Sequence, residues 1–526
     1  MLRVNDQDRA KLIDPLFAAP GLGFWLALLA LSAILAWGII MYLRQLVFGL
    51  GETGMNRPTF WGIYMVNFIF FIGISHAGTL ISAILRVTGA EWRRPITRVA
   101  EAITAFALVV GTLQIIIDMG RPDRLIFVLL HGRLQSPILW DVISVTVYFL
   151  GSVIYLYLPL IPDAALLRDN CPPTAPAWRR KLYTALALGW RGNRTQWLRL
   201  EKAISIMAVL IIPIAVSVHT IISWILATTV QPGWHSSIFG PYFVVGAIFS
   251  GIGALFLAMT AIRRVFGLEA YITRRQYRNL GLLFICMNVV WFYFTYAEHL
   301  GIAAGQQSEE FAVLASKLWG SFAPGFWLMI GLMGVAFWVL VVPQALPALP
   351  ARQKAPWPHY AYRGLGFTGF TLLIVYAFRN LPVLVDVRWQ ALGSYAWLFL
   401  VLLGLIALVS LTLWLRGRPV SATVVAGLCV VVGMWLERWN IIVPTMTHPR
   451  LIPYSVYSPT LTEFSLTVAS IALFCLMFLI FFKLFPAVSI WEVAEGRVIE
   501  ESHSRISIPE PESSQEIQKR RWGFNQ

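Results

Sequence analysis

Six ionisable residues sit within or at the ends of long apolar runs: Asp118, Asp141, Glu298, His299, Glu437 and Arg438. A charge in the middle of a bilayer costs about 2.5–3.5 kcal/mol even on the lenient insertion scale, so such residues are the first candidates for function. The stretch between Asp118 and Asp141 adds Arg121, Asp123, Arg124, His131 and Arg133. Asp141 stands between Trp140 and Val142, in a run from Ser136 to Leu160 that holds no other charge. Acid, base and cation together suit chemistry that moves protons at oxygen atoms. A quinol being oxidised releases protons as well as electrons, and a group beside its hydroxyls must accept a proton. A carboxylate or imidazole in a dry pocket can be tuned toward neutrality for that task. On this reading Asp141, His76 and Glu298 handle protons. Arg438 partners a carboxylate or the quinone, and Asp118, Arg121, His131, Arg133, His299 and Glu437 complete the pocket.

Other polar residues lie deeper. His76 falls within Ile74-Ser75-His76-Ala77-Gly78, near the middle of its run, and His219 lies past the middle of another. Glu101 and Gln114 share a run with Asp118, and Gln114 precedes Asp118 by one helical turn. Glu101, Gln114 and His219 are expected to line a proton path. The plain alternatives are interfacial anchoring for the end charges and hydrogen-bonded packing for the histidines. Two imidazoles could also hold a haem b. Counting from the ends of their runs offsets His76 and His219 in depth by about 9 Å, which argues against a shared haem.

The elements that position these residues follow from composition. The 526-residue chain is 58% hydrophobic and 13% charged, whereas soluble domains carry roughly 25% charged residues. Its mean hydropathy is +0.69. The apolar residues fall in runs of about 20, the length that crosses ~30 Å of hydrocarbon. The chemistry is therefore that of a multi-pass, all-helical integral membrane protein. Spans are expected at 20–48, 59–87, 98–119, 136–160, 203–229, 238–262, 279–302, 322–345, 361–380, 394–415, 420–441 and 464–485. The net charge of +15 is read as a topology signal, not as a nucleic-acid surface, because Lys and Arg gather in alternate loops. That bias places both termini in the cytoplasm and brings Asp118, Asp141, Glu298 and Glu437 to one depth near the outer face. The first run is too long for a cleaved signal core. The four cysteines form no CxxC pair, which excludes a c-type haem attachment and disfavours an iron–sulfur cluster on this chain; no metal site is expected. Cys286, Cys429 and Cys475 lie in apolar runs and read as small core residues.

Four motifs occur in order. They are Ile74-Ser75-His76-Ala77-Gly78-Thr79, Glu91-Trp92-Arg93-Arg94-Pro95, Asp118-Met119-Gly120-Arg121-Pro122 and Ser136-Pro137-Ile138-Leu139-Trp140-Asp141. Leu160-Ile161-Pro162-Asp163, Leu167-Arg168-Asp169 and Trp435-Leu436-Glu437-Arg438-Trp439 follow. As a set they resemble the NrfD/PsrC family of polysulfide reductase membrane subunits, and within it the membrane subunits of alternative complex III. The resemblance covers about 20–345 and 420–495. It implies two four-helix bundles plus peripheral helices, and a quinol (menaquinol or ubiquinol) bound near the outer face of a bacterial inner membrane. It also implies no haem or iron–sulfur cluster on this chain. Electrons would pass to a periplasmic iron–sulfur subunit of the molybdopterin-oxidoreductase type and on to cytochrome c subunits, beside a second NrfD-like membrane subunit. Proton translocation has been proposed for such bundles. His76, Asp118, Asp141, Glu298, Glu437 and Arg438 match the family's polar motif positions.

The organisation expected is a cytoplasmic segment at 1–19, a membrane core at 20–345 and 420–486, an inserted helix pair within 346–419 and a polar cytoplasmic tail at 487–526. A different class, a secondary transporter of about twelve helices, would instead show helices broken near the midplane.

Overall fold

The computed structural model describes residues 6–345 and 394–496. Among these residues every regular element is helical. The long helices are α1 (Leu22–Phe48), α2 (Ile63–Val87), α3 (Thr97–Asp118), α4 (Pro137–Tyr157), α5 (Arg194–Ala227) and α6 (Phe239–Val265). They continue with α7 (Arg274–Gly305), α8 (Ala323–Ala345), α9 (Ser394–Leu415), α10 (Pro419–Thr447) and α11 (Leu461–Leu484). Ten of them are long and apolar enough to cross a membrane. The expected span at 361–380 lies outside the described residues. Helix is forced on such runs because lipid offers no partner for a bare N–H or C=O. The ends are fixed locally. Thr273 and Gln276 form a capping box on α7, Thr460 and Glu463 form another on α11, and Asn193 accepts from the Gln196 N–H to open α5.

Helix α2 is the hub. It packs against α3, α5, α6 and α10. Helices α2 to α5 form one group of four, and α6, α7, α8 and α10 form a second, joined along the α2–α6 contact. Two glycines set the closest approaches. A Cβ on Gly78 would stand 1.9 Å from the Ala100 carbonyl, and one on Gly427 would stand 2.8 Å from the Gly253 carbonyl. Backbones thus meet directly at α2–α3 and α6–α10, the close contact that small residues permit in membranes. Helix α1 packs on α11 at the side, with Leu22, Leu29 and Ile40 exposed.

Three expectations are corrected. Cys286 and Cys475 are exposed, not core; a lipid-facing surface is as apolar as an interior, so an apolar run does not reveal which face is inside. The tail does not begin at 487. Val488, Ser489, Ile490, Trp491 and Glu492 are buried, because two carboxylates and a tryptophan pin this segment beneath the first bundle, as described below. Glu437 and Arg438 do not end their span, since α10 runs on to Thr447. At 1.5 Å per residue that leaves Glu437 about 15 Å below the helix end.

Candidate functional site

A cleft opens among α6, α7, α8 and α10, the second group of four. Glu298 and His299 line it from α7, Glu437 and Asn440 from α10, Tyr242 from α6, and Trp234 from the loop before α6. Lys317 closes one wall from the short helix Ser308–Leu318. Glu437 and Asn440 are three residues apart, so one helical face presents both. Several of these side chains have a neighbour that fixes them. Trp291 Nε1 donates to Glu437 Oε1 at 2.8 Å, the Ser236 hydroxyl donates to Glu298, and Trp234 Nε1 donates to the Ile441 carbonyl at 3.1 Å. His299 Nδ1 pairs with the Thr295 carbonyl at 2.7 Å, which turns Nε2 away from its own helix.

The electrostatics are uneven. Glu437 and Arg438 are each 1% exposed, with Oε2 and Nη1 2.9 Å apart. This pair is close but unaligned: Glu437 Oε2 and both terminal nitrogens of Arg438 have no hydrogen-bond partner among the described residues. Asn440 Oδ1 is also unpartnered there. A buried polar atom left unmatched costs about 1–3 kcal/mol. Burial pushes the Lys317 ammonium down to about 8, and Glu298 nearby pulls it partly back up. Lys317 therefore loses its charge as pH rises through about 8. Affinity for a ligand that accepts a hydrogen bond from Lys317 should fall as pH rises through about 8. Lys317→Arg should remove that step, since a guanidinium stays charged. A pH series of ligand binding to both proteins checks it, and an unchanged step in Lys317→Arg excludes Lys317 as its source.

The first group of four holds a different constellation. His76 on α2 and His219 on α5 meet ring to ring, with centroids 4.0 Å apart and His219 Nδ1 3.1 Å from His76 Nε2. The expected offset in depth is thus overturned. Helix α5 begins at Arg194 and carries Pro213 inside it, so the ends of the apolar run do not mark the depth of His219. The rings touch each other rather than facing across a gap. His76 Nδ1 lies 2.7 Å from the Ile72 carbonyl, and its Nε2 also approaches the Ala215 carbonyl. Gln114 is not alone: its Nε2 donates to Ser470 at 2.7 Å, and its oxygen faces Asn67, which also takes a hydrogen bond from Trp435. Glu101 is buried at the other end of α3 and accepts from Ser82 at 2.8 Å.

The remaining candidates fall elsewhere. Asp118 and Asp141 are half-buried and outside the cleft lining, each with one buried oxygen that has no hydrogen-bond partner among the described residues. Asp118 lies in the field of Glu463. Arg121, His131 and Arg133 are exposed, and Arg121 pairs with neighbouring Asp123 at 2.9 Å. The cleft therefore gathers Glu298, His299 and Glu437 and leaves the first bundle's acids apart. Lys317, Asn440, Tyr242 and Ser236 were not foreseen. The signal for Asn440 was available, one turn after Glu437 in an apolar run.

These features define a multi-pass helical membrane protein with a cleft that carries charged and polar side chains within a four-helix group. The sequence profile described as polysulphide reductase, NrfD, matches residues 51–357. The chain belongs to the NrfD family. Over 334 residues it is 31% identical to a putative dimethyl sulfoxide reductase membrane subunit from Halobacterium salinarum, covering 63% of this chain and 70% of that one. Over 232 residues it is 25% identical to a selenate reductase subunit from Mesobacillus selenatarsenatis, covering 42% and 53%. Over 329 residues it is 24% identical to the Hdr-like menaquinol oxidoreductase integral membrane subunit of Archaeoglobus fulgidus, covering 61% and 71%. The ten long apolar spans run as continuous helices, without the midplane breaks that the transporter reading expects.

Proposed function

We propose that this chain is the quinol-binding membrane subunit of a multisubunit oxidoreductase, with the cleft beside Glu437 as its quinol site. One observation carries the reading: Asn440 Oδ1 has no hydrogen-bond partner among the described residues, and Glu437 Oε2 makes only an unaligned ion-pair contact with Arg438, both on one face of α10 in a cleft. A quinol presents hydroxyl donors that such acceptors satisfy, and Lys317 supplies a donor for the oxidised carbonyl form. Quinol supplies two protons and two electrons on oxidation. Glu437 accepts one proton and Glu298 the other, in a site dry enough to matter, His299 orients the far side, and Trp234 and Tyr242 flank the ring. Electrons leave to an iron–sulfur subunit docked over the cleft, in the manner of alternative complex III, with the complex in the cytoplasmic membrane. A relative's name that includes menaquinol supports menaquinol as the substrate.

The alternative place for the chemistry is the end of the first bundle, where Asp118 and Asp141 each have one oxygen unmatched among the described residues. Two variants separate the two sites. Glu298→Gln in the assembled complex should raise KM for quinol severalfold or more. Asp141→Asn should change turnover less than Glu298→Gln. The reverse ranking, in steady-state assays with an artificial acceptor, would move the site to the first bundle.

A further inference from the structure

Four arginines at the end of the molecule where α5 begins are paired internally. Arg86 and Arg93 face Glu492, Arg94 faces Glu91 and Glu495, and Arg98 faces Asp163. Residues 177–202 differ. They run from the short helix Ala177–Leu186 into the first turns of α5, and Glu201 is their single acid. Arg180, Lys181, Arg191, Arg194, Arg199 and Lys202 are all exposed. None of these six forms an ion pair among the described residues.

The stretch is held in place. Arg179 donates to the Leu16 and Lys483 carbonyls at 2.9 and 3.2 Å, and the Tyr183 hydroxyl donates to the Leu484 carbonyl at 2.8 Å. In the turn that follows, Gln196 Oε1 accepts from the Arg191 and Gly192 N–H groups at 2.9 and 3.1 Å. The Trp197 ring packs against Trp190 and Trp491, with centroids 4.9 and 5.5 Å apart. A surface fixed in this way loses little freedom when a ligand settles on it.

Arg199, Lys202, Ile206 and Val209 follow one another on α5 at spacings of three, four and three residues, which is one face of a helix. Ile206 and Val209 are 49% and 59% exposed, and Leu210 beside them is 48% exposed. The face changes character within one turn. Ile206 lies about 6 Å along the axis from Lys202. Ile206 and Val209 suit hydrocarbon, whereas Arg199 and Lys202 need water or an anion. Trp178 and Leu198, 54% and 58% exposed among the cations, suit the interface between the two. A phospholipid presents the same order, a phosphate followed by acyl chains. An acidic protein segment would satisfy the cations but not the apolar half of the face. A zwitterionic headgroup would bring its own cation into a patch that holds one acid, so an anionic headgroup fits better.

We propose that Arg199 and Lys202 hold the phosphate of an anionic phospholipid, with its acyl chains laid along Ile206, Val209 and Leu210 and Arg194 adding to the positive field. The site lies on α5, outside the cleft lining, and stands whatever the cleft binds.

The test places the purified complex in phosphatidylcholine nanodiscs and adds spin-labelled phosphatidylglycerol or spin-labelled phosphatidylcholine. The motionally restricted fraction of each label is measured. Wild type should restrict phosphatidylglycerol about fivefold more than phosphatidylcholine. Arg199→Gln with Lys202→Gln should abolish that preference. Arg274→Gln with Arg275→Gln removes two exposed cations at the start of α7 and should leave it intact. No preference in wild type, an unchanged preference in the α5 variant, or an equal loss in both variants would overturn the proposal, the last by showing that scattered positive charge suffices. If the α5 variant does not insert, a density map of the wild-type complex in phosphatidylglycerol nanodiscs decides. Phosphate density on Arg199 and Lys202 supports the site, and a protein segment or no density there overturns it.

Discussion

Glu437→Gln in the assembled complex should lower quinol turnover by about 10²- to 10⁴-fold, the usual contribution of a positioned general base. The substitution keeps shape and keeps an acceptor for Trp291 Nε1, which donates to Glu437 Oε1 at 2.8 Å. It removes the negative charge and the basic oxygen. The neighbouring guanidinium of Arg438, 2.9 Å away and 1% exposed, would then lack a counter-charge. Quinol affinity should therefore weaken less than turnover, because the amide oxygen still accepts from a hydroxyl. Glu437→Ala should lose both affinity and much of the complex, since an unpaired buried cation costs several kcal/mol. Turnover of Glu437→Gln within threefold of wild type would remove Glu437 as the base. Measuring Kd and kcat separately in the same preparation makes the distinction.

Glu437 and Glu298 were legible because carboxylates stand out in apolar runs, and the spans were legible because a bilayer demands about 20 apolar residues in a row. Other parts were hidden for physical reasons. Lys317 ends an 11-residue helix, too short for a span, so nothing in its pattern marks it as facing a cleft. Trp291 lies in an aromatic stretch of α7 whose pattern does not mark it as facing the cleft, yet it is fully buried against Glu437. The meeting of His76 and His219 depends on how α2 and α5 pack, and an apolar run's ends do not fix that register. Arg98 reads as one more topology-setting arginine. Glu492 reads as the start of a polar tail. Both are buried, and their partners lie far away in the sequence.

Those two residues give the second large effect. Arg98→Ala should destabilise the protein by about 3–5 kcal/mol, the cost of breaking a buried ion pair by removing one partner. Arg98 Nη1 lies 2.5 Å from Asp163 Oδ2, and the two side chains are 1% and 0% exposed. Asp163 also accepts from the Ile490 and Trp491 N–H groups at 3.2 and 3.3 Å, and Arg98 donates to the Pro486 carbonyl at 3.3 Å. A single pair thus ties α3 to the short helix Leu160–Asp169 and to the segment after α11. Loss of Arg98 leaves the Asp163 carboxyl buried with two backbone donors and no cation, so it must take up a proton or release that segment. Glu492 holds the next turn, 2.5 Å from Arg86 Nη2 and 2.8 Å from the Thr97 hydroxyl. Burial would raise its carboxyl, but the Arg86 and Arg93 guanidiniums outweigh that and hold it below the usual range. Because its folded pKa is depressed, the stability Glu492 contributes is present above the ordinary glutamate pKa and fades as pH falls through the folded value. Arg98→Ala should therefore lower the melting midpoint in detergent and open residues after Leu484 to protease at neutral pH. Wild type should show the same cleavage only after acidification. An unchanged midpoint with a protected segment in Arg98→Ala would mean that apolar packing of Val488, Ile490 and Trp491, all buried, holds the clasp without the charges.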